Sequence, residues 1–496
     1  MTTPISPPDH HPPMPTADLA VFSMVILLLI LRLVIIAISP LGLDVEEAQY
    51  WQWSTTPDLG YFTKPPMIAW LIGLSTSIFG ANEFGVRAFA PIIQAVTAII
   101  MALIGRKTGH VSIGRWAAII WISLPVSAIG GFIISTDSPM IMFLLVSMLL
   151  VAPMAKGQRI STQSAFIAGL MLGAAMLAKY AAIYFLVGLA IWWIWQGRKF
   201  KPVDGASPQA QKAVAFAFGT IAILAPNLVW NLNNGFVTVG HLGDNANLDE
   251  TVLSATRSLE FIISQMGVVG PIIAGIAVAA IWRLKANPEA RFWIALGAPA
   301  LLVVTVQSFR ADANANWALA SWPPLIILTA IFIAQGSKRL KQIAIGGVAI
   351  NASLVLVILM ATLMGHFGPF TPASDPLRRL RGWDQHYQDL TQFTETHQAE
   401  AIVTTRREHI AKMIWQHREH PLPIELLDTN GIPQNHFEQR YPWQAHANRT
   451  IILINHEATP PSLDDVKWQG IQRQSKVKIS TKRDRVLVYH LGVEKP

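Results

Sequence analysis

Long apolar segments recur along residues 19–364, and they constrain the fold more than any other feature of the sequence. Each is close to the length of about 20 residues that a helix needs to cross the hydrocarbon core of a bilayer. Counting the windows by this criterion gives about eleven membrane-spanning helices. They lie at 19–38, 86–104, 114–133, 138–155, 163–179, 181–196, 213–230, 258–282, 292–309, 317–335 and 342–364. The sequence therefore predicts an all-α polytopic membrane bundle.

Composition agrees with a membrane bundle and excludes several other classes. Hydrophobic residues make up 52% of the 496 residues, and charged residues only 14%. The net charge of +8 comes from basic residues dispersed in short loops, which is typical of a membrane protein and not of a nucleic-acid-binding surface. The chain has no cysteine, which excludes disulfides, a thiolate metal site and a cysteine nucleophile. We therefore expect no nucleic-acid partner.

Changes in composition divide the chain into three parts. Residues 1–18 are rich in proline and predict a disordered cytoplasmic tail. Residues 19–365 predict the membrane domain, with an external loop at 39–85 that contains short interfacial helices. From residue 366 to residue 496 charged residues and histidines increase, and continuous apolar windows of membrane length are absent from the sequence. This last part predicts a small α/β domain.

Three apolar runs carry the prediction of strands in the C-terminal domain. The first, Ala401–Thr405, leads into a predicted helix at 406–416. The others are Ile451–Ile454 and Val486–Tyr489.

Basic residues predict the orientation of the bundle. They cluster in loops that all fall on one side of it, at 106–107, 156–159, 198–212, 283–291 and 338–341. Because basic loops remain on the cytoplasmic side, the N-terminus is predicted inside. The loop at 39–85 and the C-terminal domain are then outside.

The external loop begins with three carboxylates, Asp44, Glu46 and Glu47. They directly follow the first apolar segment, where a charge is costly unless a cation, a metal or a water-filled cavity receives it. The alternative is that they are N-terminal acids of an interfacial helix, favoured there by the helix dipole. A helix that begins at Val45 separates Glu46 and Glu47 by about 100°, so these two acids cannot serve the same role.

The same loop resembles the first external loop of polyprenyl-phosphate-sugar glycosyltransferases. The resemblance is carried by Glu46-Glu47-Ala48-Gln49-Tyr50-Trp51, by Gly60-Tyr61-Phe62 and by Lys64-Pro65-Pro66. These enzymes are the protein mannosyltransferase-like and lipid A aminoarabinose transferase-like members of the GT-C superfamily. The family usually has Asp-Glu where this chain has Glu46-Glu47. This difference keeps the charge and lengthens the first side chain.

The resemblance implies an inverting glycosyltransferase of GT-C architecture in a bacterial inner membrane. Its donor would be a sugar on undecaprenyl phosphate or a similar polyprenyl phosphate. Its acceptor would be a lipid, a glycan or a protein at the periplasmic face, and lipid A modification is one such reaction. The alternative is a transporter or flippase of a lipid-linked sugar, which needs charges near the membrane midplane and broken helices. In this sequence the charges gather at one surface.

Sugar transfer needs a general base for the acceptor and positive charge for the departing phosphate. The candidate catalytic acids are Glu46, Glu47, Asp44 and Asp137. By resemblance, Glu46 occupies the position of the family's catalytic acid. Asp137 lies at the outer start of a span, where it either contributes to the site, as an acid does in the family, or caps the helix that follows.

The candidates for binding the donor phosphate are Lys64, Lys179 and Arg310. Lys64 precedes two prolines that fix the backbone. Lys179 lies on the side where positive charge is disfavoured, and the family has a similar Lys-Tyr; the alternative is a snorkelling lysine. Arg310 precedes a stretch that resembles the family's Asn-Trp motif, and the alternative is a surface ion pair with Asp312.

Four further residues fall in family-like stretches and are candidates for positioning substrates: Tyr61, Asn231, His241 and Asn316. An ordinary helix exit also explains Asn231 and His241. No cofactor is implied with certainty. A divalent cation held by His241 and a loop acid remains open, although relatives with bound zinc have an acid where this chain has Thr63.

The orientation has a direct test. A reporter that is active only in the periplasm should be active when fused after Pro496 and silent when fused near Lys201, because the basic loops fix the second position in the cytoplasm. The reverse pattern would place Glu46 in the cytoplasm and contradict the predicted site.

Overall fold

A computed structural model of the chain describes residues 16–196, 208–246, 253–368, 374–419, 422–428, 433–478 and 484–496. Over these residues the chain forms twenty α-helices and five β-strands. Most of the predicted tail, residues 1–15, and the basic residues at 198–201 lie outside the described residues.

The first seventeen helices of the described chain form the membrane part and its external loop. They are α1 (Thr16–Ile38), α2 (Val45–Thr55), α3 (Met67–Phe79), α4 (Glu83–Arg87), α5 (Phe89–Thr108), α6 (Val111–Ser123), α7 (Pro125–Ile129), α8 (Asp137–Val151), α9 (Thr162–Ala178), α10 (Ile183–Gln196), α11 (Pro208–Asn233), α12 (Val237–Ala246), α13 (Ala255–Val269), α14 (Pro271–Leu284), α15 (Pro288–Ser308), α16 (Trp322–Gln335) and α17 (Lys338–Met364). Short 3₁₀ helices lie at Ala152–Lys156, Tyr180–Ala182, Ala315–Ser321 and Pro376–Leu380.

The chain is a multi-pass membrane protein. In the described part, seven helical segments are long and apolar enough to cross a bilayer. They are Ala17–Ile38, Glu83–Thr108, Asp137–Lys156, Ala210–Asn233, Pro288–Ser308, Ala315–Gln335 and Lys338–Met364. Four shorter apolar helices accompany them, so the exact count of eleven spans stays a prediction.

Two of the predicted spans are interrupted. The window at 258–282 is divided into α13 and α14, which meet at an angle of 106°. Gly270 has a φ of +84° there, and Pro271 follows it, so the helix cannot continue. In the window at 114–133, helix α6 ends at Ser123, and Pro125 then begins the short helix α7. A hydropathy window therefore detects apolar length but not a break made by one proline.

One end of the bundle is marked by a cluster of charges. Asp18 at the start of α1 forms an ion pair with Arg115 at 2.6 Å and lies 3.6 Å from Arg106. These contacts bring the start of α1, the end of α5 and the start of α6 to one side of the bundle. The external loop is attached to the other end of α1.

Helix α2 is fixed to the bundle by a buried ion pair between Glu47 and Arg87. The Arg87 guanidinium donates to Glu47 at 2.9 Å and 2.6 Å and also to the carbonyls of Leu41 and Gly42, while the backbone N–H of Ile134 donates to Glu47. Both side chains are almost fully buried, at 1% and 0% exposed. The carboxylate of Glu47 is thus enclosed by structural donors, and its predicted catalytic role stays a prediction.

The last part of the chain forms a mixed sheet with flanking helices. Its elements are α18 (Trp383–Thr396), β1 (Ala401–Thr404), α19 (Arg407–Gln416), β2 (Ile424–Leu426), α20 (His436–Arg440), β3 (Thr450–Asn455), β4 (Val466–Lys478) and β5 (Asp484–Glu494). The strand order is β2-β1-β3-β5-β4, with β1 parallel to β2 and β3, and β5 antiparallel to β3 and β4. The three predicted strands and the helix at 406–416 are confirmed.

The C-terminal domain packs directly on α2. One hydrophobic cluster contains side chains of both, and within it the rings of Trp51 and Trp415 meet edge to face at 4.7 Å. Gln52 donates to the hydroxyl of Tyr441 at 2.6 Å, and Lys412 donates to the carbonyl of Leu43. Helix α2 is therefore held between the membrane bundle and the C-terminal domain.

Glu47→Gln should destabilise the fold. It leaves the Arg87 guanidinium buried without a counter-charge, which costs about 3–5 kcal/mol. The matched control is Glu46→Gln, because Glu46 is 44% exposed in its ion pair with Arg407. The loss of folding free energy in this variant should stay below about 1 kcal/mol. Thermal melting of the purified protein compares the two. Equal melting temperatures would contradict the structural role of Glu47.

Candidate active site

Glu46 lies on the face of α2 that is turned away from the Glu47–Arg87 pair. Its carboxylate accepts a hydrogen bond from Arg407 at 2.6 Å, and the Tyr50 hydroxyl is among the groups that lower its pKa. Arg407 also donates to the side chain of Gln49 at 2.7 Å. The C-terminal domain thus contributes a cation directly to the candidate catalytic acid.

The environment of Glu46 keeps it ionised. Desolvation by burial raises the pKa of this carboxyl, but the charge and hydrogen bond of Arg407 and the charge of Lys64 outweigh it. The net result is a pKa below the ordinary value of glutamate. Glu46 is therefore a carboxylate at neutral pH and can accept a proton.

Lys64 differs from the other cations near Glu46 in that its ammonium group has no direct partner among the described residues. Burial lowers the pKa of Lys64, and the charges of Glu46, Lys179, Asp137 and Arg407 all act on its ammonium. Among the described residues, the Lys64 ammonium has no hydrogen bond and no ion pair within 4 Å. An arriving anion would therefore find a partly desolvated, unneutralised ammonium group.

Asp137 joins two other predicted residues. One carboxylate oxygen accepts from the ammonium of Lys179 at 2.7 Å, and the other accepts from the side-chain amide of Asn316 at 2.8 Å. The carboxylate does not cap α8, because Thr136 occupies the N-cap position and makes no side-chain capping bond. Lys179 ends α9 in extended conformation and is 17% exposed, so it is not a lysine that reaches out to the surface.

An apolar cavity reaches this acid from within the bundle. Its volume is about 440 Å³. Apolar side chains line most of it, including Trp121, Val126, Ile129, Ile133, Ile141 and Val268, and Asp137 and Asn316 lie on its wall. A lipid chain fits this lining, with its polar end at the charged cluster.

Two other predicted residues have different roles. Asp44 is the N-cap of α2, and its side chain accepts from the backbone N–H of Glu46 at 3.1 Å, which is the alternative that the sequence left open. Burial raises the pKa of Asp44. Arg310 is exposed at the surface, and Asp312 pairs with Arg257 at 3.3 Å instead of with Arg310. The structure therefore does not bring Arg310 to the charged cluster.

Apart from Asn316, three positioning residues were predicted, and one of them, Tyr61, lies in the loop at 39–85. The Tyr61 hydroxyl donates to the carbonyl of Trp53 at 3.0 Å, and its ring stacks on Trp53 at 4.5 Å. Burial raises the pKa of Tyr61 to about 12. These contacts make Tyr61 a packing residue of the loop.

The remaining two positioning candidates lie on α11 and α12. Asn231 is buried and donates to the hydroxyl of Tyr180 at 3.1 Å. His241 is half-buried in α12, with its ring 6.2 Å from that of Phe62. The cation site involving His241 stays a prediction.

The sequence did not identify Arg407 or Tyr50 as members of the site. Arg407 is separated from Glu46 by 361 positions, and only the packing of α19 on α2 joins them. The one local signal was its position just after a predicted strand, where functional side chains of α/β domains often lie.

Two sequence comparisons relate the chain to glycosyltransferases. A family model described as dolichyl-phosphate-mannose-protein mannosyltransferase matches residues 63–230. A lipid A galacturonosyltransferase, RgtD of Rhizobium johnstonii, is 29% identical over 460 residues, which are 90% of this chain and 94% of that protein. The chain is therefore similar over nearly its whole length to a lipid A glycosyltransferase, and over residues 63–230 to a mannosyltransferase family model.

Two solved structures have a similar fold. ArnT from Cupriavidus metallidurans, bound to undecaprenyl phosphate, superposes with a TM-score of 0.68 at 13% identity, covering 96% of this chain and 98% of ArnT. The archaeal oligosaccharyltransferase AglB from Archaeoglobus fulgidus gives a TM-score of 0.50 at 12% identity, over 80% of this chain and 63% of AglB. The ArnT match includes the C-terminal domain because it extends over nearly the whole chain.

Arg407→Gln should move the acid limb of the pH–activity profile to higher pH. Removing the arginine charge raises the pKa of Glu46, so a reaction that needs the Glu46 carboxylate is lost at a higher pH as the solution is acidified. Arg473→Gln, at an ion pair with Asp389 in the C-terminal domain, is the charge-matched control and should leave the limb in place. An unchanged limb in Arg407→Gln would contradict the coupling.

Proposed function

We propose that this glycosyltransferase moves a sugar from a polyprenyl phosphate to an acceptor of the bacterial envelope, at the periplasmic face and with inversion at the anomeric carbon. The observation that carries the proposal is the Lys64 ammonium, which lacks an ion pair among the described residues and is coupled to Glu46 and Asp137. Such a cation suits a lipid-linked phosphate, because the apolar cavity that reaches Asp137 can take the adjoining lipid chain.

The charges of the cluster match the change of charge during the reaction. Three cations, Lys64, Lys179 and Arg407, act with two carboxylates, Glu46 and Asp137. A phosphodiester donor carries one negative charge, and the leaving polyprenyl phosphate acquires a second. The surplus positive charge therefore stabilises the leaving group more than the donor, which is the condition for catalysis.

Glu46 is the proposed base. The acceptor hydroxyl attacks the anomeric carbon as the bond from that carbon to the phosphate oxygen breaks, and the hydroxyl proton passes to Glu46. A carboxylate with a lowered pKa is a weak base, so it accepts the proton late, once the new bond has made the hydroxyl acidic. A single displacement of this kind inverts the anomeric carbon.

The periplasmic orientation is part of the proposal. The uneven distribution of basic loops supports a cytoplasmic N-terminus. Because Arg407 of the C-terminal domain contacts Glu46, that domain and the site share one side of the membrane.

The first test of the proposal uses the sugar and the acceptor that the name of a relative indicates. The name of the Rhizobium relative points to galacturonic acid as the sugar and lipid A as the acceptor. Purified protein in lipid nanodiscs is incubated with lipid A and a panel of undecaprenyl-phosphate sugars, and lipid A is analysed by mass spectrometry. The proposal expects a mass increase of one sugar with at least one donor. In cells, envelope glycolipids that are identical with and without the gene, together with no transfer from any donor, would contradict it.

A transporter remains the second candidate because of the bend between α13 and α14. Transporters bind substrates where broken helices expose polar groups at the membrane midplane. Here a protein side chain already binds a polar group at the break, since Asn351 donates to the carbonyl of Val269 at 2.9 Å. Movement of an intact lipid-linked sugar across a vesicle, without transfer of the sugar, would favour the transporter.

Glu46→Gln should lower turnover by about 10²–10⁴, because the amide keeps the shape of the side chain but cannot accept a proton. Donor affinity should change little, since the base acts on the acceptor. Glu46→Asp restores the residue usual in the family and should retain much of the activity. Single-turnover kinetics with bound donor measure the chemical step. Near-normal turnover of Glu46→Gln would pass the role to Asp137.

Lys64→Ala should weaken binding of polyprenyl phosphate by roughly 10–100-fold, which corresponds to the loss of one hydrogen bond to a charged group. Arg310→Ala is the matched control, since Arg310 is exposed and lies away from the cluster, and it should bind the lipid as the wild type does. Titration of the purified variants with fluorescent polyprenyl phosphate measures both. If only Arg310→Ala bound polyprenyl phosphate more weakly, Arg310 and not Lys64 would be the residue that binds the phosphate.

A further inference from the structure

Three potential metal ligands meet beside Arg407, on the domain that contributes this arginine to the site. Glu408 and His409 lie in the first turn of α19, and His456 directly follows β3. One ligand atom from each lies within 4.8 Å of the others. The rings of His409 and His456 are 4.9 Å apart. In the described part of the chain this is the one group of three or more such side chains at that spacing.

The topology of the sheet explains why these residues meet. Strands β1 and β3 are parallel neighbours, so their carboxyl ends lie at the same edge. The chain leaves β1 through α19 to reach β2 on one side, whereas β3 lies on the other side. In α/β sheets, such a reversal of strand order marks the place, at the carboxyl ends of the strands, where ligands bind. The three residues follow β1 and β3 at that edge of the sheet.

A neighbouring threonine sets the tautomer of His409. The Thr404 hydroxyl donates to the carbonyl of Ile454 at 3.2 Å and lies 3.3 Å from His409 Nδ1. Because a hydroxyl has only one proton to donate, it accepts from Nδ1–H, and the lone pair of the imidazole is then on Nε2. Metal-binding histidines are oriented in this way by a hydrogen bond at the other ring nitrogen.

Two imidazoles and one carboxylate form a donor set typical of zinc with one open coordination position. Glu408 has a competing partner, Arg406, at 3.6 Å, but that pair is exposed and weak. Ligand–zinc distances of about 2.0–2.2 Å require the donor atoms to approach to roughly 3.5 Å, a contraction of about 1 Å. We propose that Glu408, His409 and His456 bind a zinc-class divalent cation at the carboxyl ends of β1 and β3.

Arg407 gives this site a consequence beyond sugar transfer itself. It precedes Glu408 on the first turn of α19 and donates to Glu46 and Gln49. A cation bound to Glu408, His409 and His456 joins that turn to the end of β3, because His456 directly follows this strand. It therefore holds Arg407 in position against α2.

Metal binding by the full-length protein tests the proposal. The protein is purified in nanodiscs with any tag removed, and zinc is titrated in competition with a chromogenic chelator. About one zinc ion should bind per chain, with affinity at least tenfold lower in His456→Ala and in Glu408→Gln. Cobalt should give a tetrahedral visible spectrum in the wild type and in neither variant. Because these readouts need no donor sugar, a failed transferase assay leaves them intact.

Two controls separate the site from other histidines. His446→Ala removes an exposed histidine of the same domain and should bind zinc as the wild type does. Replacing His10 and His11 by alanine removes the histidine pair near the start of the sequence and should also leave binding unchanged. Zinc should raise the melting temperature of the wild type but not of Glu408→Gln. Absence of stoichiometric zinc in the wild type, or wild-type affinity in both Glu408→Gln and His456→Ala, would overturn the proposal.

Discussion

The buried ion pair between Glu47 and Arg87 fixes the position on which the rest of the site depends. It joins α2 to the end of α4 through Arg87 and to the loops at Leu41 and Ile134. Burying two charges is unfavourable unless every donor and acceptor is matched, and here several donors converge on one carboxylate. Because α2 is a helix, fixing Glu47 inward directs the preceding residue, Glu46, to a different face.

The C-terminal domain completes the site from the other side of α2. Trp415 packs on Trp51, and Arg407 donates to Glu46. The candidate site therefore combines residues of the loop at 39–85, the ends of membrane helices and a separate α/β domain. Such an arrangement allows the C-terminal domain to influence the charge of Glu46 without lining the apolar cavity.

Sequence patterns predicted the parts of this account that depend on local chemistry. Hydropathy identified the bundle, and short apolar runs identified β1, β3 and β5. Lys64 was singled out as a candidate by its charge before two prolines. The break at Gly270–Pro271 was missed because apolar residues continue on both sides. Helix geometry predicted that Glu46 and Glu47 differ in role, but their partners, Arg407 and Arg87, are contacts between distant segments, which no local pattern encodes.

The central claim is that Lys64 receives the phosphate of a lipid-linked sugar beside Glu46 and Asp137. A cryo-electron microscopy structure of this protein with bound polyprenyl phosphate tests it most directly. The account predicts a phosphate oxygen within hydrogen-bonding distance of the Lys64 ammonium and the first part of the lipid in the cavity lined by Trp121 and Val268. A phosphate bound elsewhere on the protein, with the Lys64 ammonium not in contact with it, would contradict the claim.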